Sequence, residues 1–187
     1  MARHLAAPRQ SRPPERNRPA SRSDGVRLFP TKNDIPEDVR REVVGLLNQR
    51  LAESIDLQTQ CKQAHWNVKG PDFIALHKLF DEINESVEEY IDLLAERVVQ
   101  LGGVAEGTIG AVSERSELMD YPIGITSGME HVAALSDVLA QFGRGVRMGI
   151  DEMEELHDAD SMDILTEISR GTDQWLWFVE AHLQGGK

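Results

Sequence analysis

A chain of 187 residues, 40% hydrophobic and 28% charged, can bury a real core and reads as one globular domain with an appendage. No apolar run approaches the roughly 18 residues of a membrane span, and Met1-Ala2-Arg3-His4-Leu5-Ala6-Ala7-Pro8 lacks an apolar stretch of signal-peptide length. The single cysteine, Cys61, excludes an internal disulfide, so a reducing compartment, the cytoplasm, is the expectation.

The net charge of −12 conceals a division. Residues 1–23 carry Arg3, Arg9, Arg12, Arg16, Arg18 and Arg22 against Glu15 alone, a balance of +5 that leaves −17 on the remainder. A basic arm on an acidic body points to a polyanion for the arm and cations for the body.

In chain order, residues 1–33 form this arm and a connector. Pro8, Pro13, Pro14 and Pro19 break any helix, and the Arg/Pro/Ser-rich composition predicts disorder over 1–24. Residues 34–183 predict a helical bundle, and 184–187 a short tail. Asp34 and Pro36, with Glu37 and Asp38 in the first turn, start a first helix. Its apolar positions Val39, Val43, Leu46, Leu47, Leu51, Ile55 and Leu57 recur at helical spacing until Lys69-Gly70-Pro71. A second helix spans about 73–101 and stops at Gly102-Gly103. The connection 104–127 holds Gly107, Gly110, Pro122 and Gly124, with room for one short helix. The third long helix covers about 129–156, although Gly143, Gly145 and Gly149 weaken its propensity, and the fourth about 161–183. No segment alternates like a strand. Four long helices with one long crossover match an all-α, ferritin-like four-helix bundle.

On a helical wheel the second helix has one apolar face, from Leu76 and Phe80 through Val98 and Leu101. The opposite face carries His77 and seven carboxylates: Asp81, Glu82, Glu85, Glu88, Glu89, Asp92 and Glu96. Like charges at i,i+4 repel, so either water solvates this band or cations relieve it. Carboxylate oxygens with one or two imidazoles suit Fe(II), Mn(II) or Zn(II). The third and fourth helices offer no Glu-x-x-His motif, and the band faces away from the subunit's own core. A metal site built on it therefore needs a second subunit across a two-fold interface.

The segment Lys62-Gln63-Ala64-His65-Trp66-Asn67-Val68-Lys69-Gly70, continued by Phe73, His77, Asp81, Asp92 and Ala95-Glu96-Arg97, resembles the signature of the Dps mini-ferritins. The resemblance extends through Leu101-Gly102-Gly103-Val104, Tyr121-Pro122, Asp163-Ile164-Leu165-Thr166 and Leu176-Trp177-Phe178, covering about residues 40–183. No ferroxidase position of the pattern is substituted. The resemblance implies a hollow homododecamer in which His65, His77 and Asp81 of one subunit meet Asp92 and Glu96 of its two-fold mate. Fe(II) is oxidised at that shared iron site, hydrogen peroxide being preferred to oxygen, and ferric mineral is stored inside, which protects DNA. It places Trp66 beside the iron, packing there and excluding water, or simply packing. Glu82, Glu85 and Glu89 either nucleate mineral or solvate the inner surface. Glu154, Asp158, Asp160 and Asp163 resemble the acidic lining of the family's iron-uptake pores; each is equally a cap or turn residue by type.

The remaining candidates carry blander readings. His131, His157 and His182 fit surface or packing roles, Cys61 a buried structural thiol, and Trp175, Trp177 and Phe178 an anchor for the last helix or an interface. The arm's six arginines suit non-specific, salt-sensitive DNA binding, multiplied over twelve copies, with nucleoid association as its consequence. The arm is otherwise a solubilising tail, a protein-contacting arm or a targeting peptide. Two rival functions remain: a DNA-compacting architectural protein with a catalytically idle interior, and a bundle holding zinc or manganese without turnover.

Overall fold

The structure, a computed structural model, describes residues 25–184; the six arginines at positions 3 to 22 and the last three residues lie outside them. Five helices follow in order: α1 (Glu37–Asn67), α2 (Phe73–Gln100), α3 (Ile109–Arg115), α4 (Gly128–Glu155) and α5 (Ala159–Gln184). Among the described residues the only extended pairing is one isolated bridge, Lys69 with Ser127. The four long helices are those the apolar periodicity predicts, and α3 fills the crossover. No described helix is long and apolar enough to cross a membrane.

α1 packs chiefly on α2, α4 on α5, and α1 against α4 closes the bundle. The core is the meeting of four apolar stripes: Val43, Leu47 and Leu51 of α1, Phe80, Ile83 and Val87 of α2, Leu135, Leu139 and Phe142 of α4, Leu165 and Ile168 of α5, all buried. Truncating either fully buried phenylalanine to alanine removes about 3–5 kcal/mol, the sum of lost transfer energy and an unfilled cavity.

Side chains cap the starts of α4 and α5. Ser127 and Glu130 form a reciprocal capping box that starts α4. Asp158 caps α5 by accepting from Ser161 N at 3.2 Å and is itself held by Arg97 of α2 at 2.7 Å, both side chains buried. Arg97 Nε also donates to Ser161 Oγ at 2.9 Å, so one arginine ties the C-terminal end of α2 to the start of α5. The crossover is secured by side chains of its neighbours. Gln49 donates to Arg115 O, Gln60 to Met119 O and Gln141 to Glu117 O, which satisfies carbonyls no regular element could reach.

Residues 25–35 run as a strap over the start of α1 and the end of α2. Phe29 N donates to Gly102 O at 2.7 Å, and Arg40 donates to Leu101 O and Ile35 O. Gly102 sits at φ +87°, and a Cβ there would lie 2.6 Å from the Phe29 carbonyl oxygen, so the strap requires glycine twice over. The glycines of α4 do not interrupt it. At Gly145 a Cβ would stand 2.0 Å from Arg50 Nη1, so the missing side chain admits the buried Arg50 guanidinium, which pairs with Glu53 at 2.9 Å. Close packing outweighs the propensity that the sequence pattern weighs against this helix.

Candidate metal centre

The acidic band of α2 lies where the wheel puts it. Glu82, Glu85, Glu88, Glu89, Asp92 and Glu96 are exposed and Asp81 is half-buried, while Leu76, Phe80, Ile83, Val87, Leu94 and Val98 on the other side are in the core. The turn at Gly70-Pro71 folds α2 back along α1, and this brings His65, in the last turn of α1, against His77, one turn into α2.

The two imidazoles stack with ring centroids 3.7 Å apart. His65 Nδ1 lies 2.7 Å from the backbone carbonyl of His77, and His77 Nδ1 lies 2.9 Å from that of His65. A carbonyl oxygen only accepts, so each Nδ1 donates in these contacts, which leaves Nε2 as the nitrogen able to ligate a metal. This reciprocal clasp has the form of the outer hydrogen bond that orients histidine ligands on metals. Phe73, with its ring centroid 5.1 Å from that of His77, covers one side of the pair.

Asp81 follows His77 by one helical turn. Its Oδ1 is 3.9 Å from His65 Nδ1 and accepts a hydrogen bond from Lys62 Nζ. That hydrogen bond from Lys62, opposed by partial burial, holds the Asp81 carboxyl below its ordinary range. Asp92 and Glu96 stand on the same helix face, but eleven residues of α2 separate Asp81 from Asp92, a rise of about 16 Å. Among the described residues, no three His, Cys, Asp or Glu side chains converge to hold a metal ion. A single chain thus presents two partial ligand sets: one imidazole-rich and oriented, the other two bare carboxylates one turn apart.

Beside the imidazole-rich set runs a groove of about 920 Å³, lined by α1 and α2 residues including Lys62, Trp66, Asn84 and Glu88 and closed by Tyr121 and Ile123 of the crossover. Trp66 is 69% exposed on its rim, so in the isolated chain it is far from a packed core tryptophan. Beneath the groove, Tyr121 Oη and His131 Nδ1 share a hydrogen bond of 2.5 Å. His131 is buried, which lowers its pKa and resolves the choice between surface and packing in favour of packing. Burial also pushes the Cys61 thiol up to about 12, a structural thiol and not a nucleophile. Trp175 is half-buried and meets Phe178 edge-on at 5.6 Å, whereas Trp177 is exposed.

Glu154, Asp160 and Asp163 are exposed around the α4–α5 turn, but Asp158 among them is the buried cap and ion-pair partner. Two polar features escape the sequence pattern. Lys62 lies within the motif, one turn before His65, yet that spacing alone gives it no partner. The Tyr121–His131 contact joins a loop to a helix across ten residues that follow no repeat.

Bundle, crossover and clasped histidines define a ferritin-like protein, and the family model described as the ferritin-like domain matches residues 44–187. The DNA protection during starvation protein of Agrobacterium fabrum is 45% identical over 159 residues, which cover 85% of this chain and 98% of the relative. The solved structure of DpsA14 from Streptomyces coelicolor aligns with a TM-score of 0.80 and 36% identity over 86% of this chain and 97% of that one. That of Dps from Microbacterium arborescens in the high iron form aligns with a TM-score of 0.74 and 30% identity, over 82% and 97% respectively. The chain belongs to the Dps family of ferritin-like proteins.

Proposed function

We propose that this protein oxidises Fe(II), its substrate, at sites shared by two-fold-related subunits of a hollow homododecamer and stores the ferric product inside. The observation that carries the reading is the His65–His77 clasp, which orients both imidazoles next to Asp81 at one end of a helix whose far end holds Asp92 and Glu96 with no partner among the described residues. An antiparallel mate would set the second set against the first, and cations would relieve the repulsion of both bands. His65, His77 and Asp81 of one subunit then bind iron with Asp92 and Glu96 of the other. Trp66, on the groove rim, would be covered by the mate and exclude water from the site.

Hydrogen peroxide is the favoured oxidant and oxygen the alternative. Two Fe(II) deliver two electrons to one peroxide and its O–O bond breaks without releasing a hydroxyl radical; hydrolysis of the ferric product yields mineral and protons. Glu82, Glu85 and Glu89 extend the carboxylate face inward and suit mineral nucleation. Glu154, Asp160 and Asp163 suit an iron-uptake pore, the Asp158 carboxylate being engaged by Arg97 and Ser161. Arg3, Arg9, Arg12, Arg16, Arg18 and Arg22 supply non-specific DNA binding, so that storage and DNA protection act together in the cytoplasm at the nucleoid. A relative named for DNA protection during starvation and a structural neighbour in a high iron form support both halves of this reading.

Fe(II) mixed with peroxide and the purified protein is expected to be consumed in the two-to-one ratio of that couple. The double variant Asp92→Ala, Glu96→Ala should lose the fast phase with the shell still assembled. Unchanged kinetics in an intact shell would refute the site. Removal of residues 1–24 should abolish gel retardation of DNA and leave iron oxidation intact; retardation that persists at low salt contradicts the role of the arm.

A further inference from the structure

Three large hydrophobic side chains of α2 are exposed in the isolated chain, Phe73 at 42% and Ile74 and Val99 at 59% each. At about 100° per residue, Ile74 and Val99 fall within about 20° of Asp81, on the midline of the acidic band and opposite the core stripe. One exposed apolar residue is ordinary. This pair brackets the band at equal steps, Ile74 three residues before His77 and Val99 three after Glu96. We infer that Ile74 of one subunit seats against Val99 of its two-fold mate, an apolar contact that closes the outer end of each shared site and fixes the register in which the ligand sets meet. The inference rests on the reading that Asp92 and Glu96 cross to the histidine set of a second subunit.

Spacing carries it first. Ile74 and Val99, His77 and Glu96, Asp81 and Asp92, and Glu85 and Glu88 each stand symmetrically about the point between Ser86 and Val87. An antiparallel mate that sets His77 against Glu96 and Asp81 against Asp92 therefore also sets Ile74 against Val99, twice per interface. A partner of any other kind would leave this symmetry without a cause. Shape carries it second. Val99 stands between two hollows of about 400 and 600 Å³, walled by Ala95, Ala105, Val104, Phe29 and Pro30. Phe29 is held to Gly102 by its backbone, so the strap ahead of α1 builds one wall of the seat for the mate. Charge carries it third. The two carboxylate bands repel at close approach, whereas apolar ends attract with or without metal and hold the pair together before iron loads. Phe73, next to Ile74, has its ring centroid 5.1 Å from that of His77, so seating this end also fixes a wall of the metal site.

The test uses full-length shells carrying Ile74→Cys, Val99→Cys or both, assembled under reducing conditions, oxidised with diamide and run denatured without reductant. The double variant is expected to give covalent dimers and each single variant none. Positions 74 and 99 of one chain lie 25 residues apart, a rise of about 37 Å, so only a mate can bring the two thiols together. The native Cys61 is buried and stays out of the reaction. A second measurement covers the case of poor disulfide geometry. Val99→Lys and Ile74→Glu should each lower the melting temperature of the metal-free shell by about 3–6 °C, and the two combined should recover most of that loss. Dimers in a single variant, or neither dimers nor recovery in the double variants, overturn the contact. Zn(II) titration of Asp92→Ala, Glu96→Ala judges the underlying reading separately. Binding as in wild type ends the shared site and the inference with it; binding lost, with thiols apart and melting unrecovered, removes the apolar contact alone.

Discussion

Two ion pairs of helix α2, Lys62–Asp81 toward its N-terminal end and Arg97–Asp158 at its C-terminal end, obey different physics. Arg97–Asp158 is sealed: both side chains are buried, the guanidinium also binds Ser161, and the carboxylate also caps α5. Lys62–Asp81 is part-exposed in the isolated subunit, a single contact beside two oriented imidazoles. Charges taken out of water must be paired permanently, because either one alone would be left uncompensated. Charges left half in water can be traded. The same helix therefore fastens the bundle at its C-terminal end and keeps its N-terminal end available for chemistry.

Removing one partner of the sealed pair should produce the largest stability change. Arg97→Ala is expected to cost about 3–5 kcal/mol in urea unfolding, since Asp158 would remain buried and unpaired. A loss below about 1 kcal/mol would mean that this pair too is traded with water. Tyr121→Phe, which orphans the buried His131, is intermediate, at about 1–3 kcal/mol.

That contact also predicts a pH dependence. Burial lowers the His131 pKa below its ordinary 6.5, so the unfolded chain binds the proton more readily than the folded one. Stability attributable to His131 is complete above 6.5 and declines as pH falls below it toward the lowered folded value. His131→Gln should flatten that part of the stability–pH curve; an unchanged slope would assign it to other groups. The smallest effect belongs to the open pair. Lys62→Gln should change stability by less than about 1 kcal/mol, and any loss should shrink as salt is raised.

Local pattern carried the sequence reading a long way. The i,i+3/i+4 recurrence from Val39 to Leu57 and the two-faced wheel of α2 define elements that the structure reproduces, because one helix face against one core is a local property. The clasp of His65 and His77 was legible only as two residues on facing helix ends; its hydrogen bonds depend on how the Gly70-Pro71 turn sets α1 against α2. Partners remote in sequence were not legible. Nothing around Asp158 distinguishes a buried cap from an exposed pore acid until Arg97, sixty-one residues away, is seen beside it. Gly145 looks like a weakness in α4 until Arg50 is found lying over it. Lys62 stands in the motif in plain view, but its role depends on which carboxylate of α2 the fold brings opposite.

The proposed shared site is tested most directly by complementation between two inactive subunits. One variant lacks the imidazole set (His65→Ala, His77→Ala), the other the far carboxylates (Asp92→Ala, Glu96→Ala), and each alone should assemble without fast Fe(II) oxidation. Shells co-assembled at random from equal amounts should recover about a quarter of wild-type activity, since half the two-fold contacts are mixed and each mixed contact regenerates one whole site of its two. Mixed shells as inactive as either parent would place the chemistry within a single subunit and contradict the account.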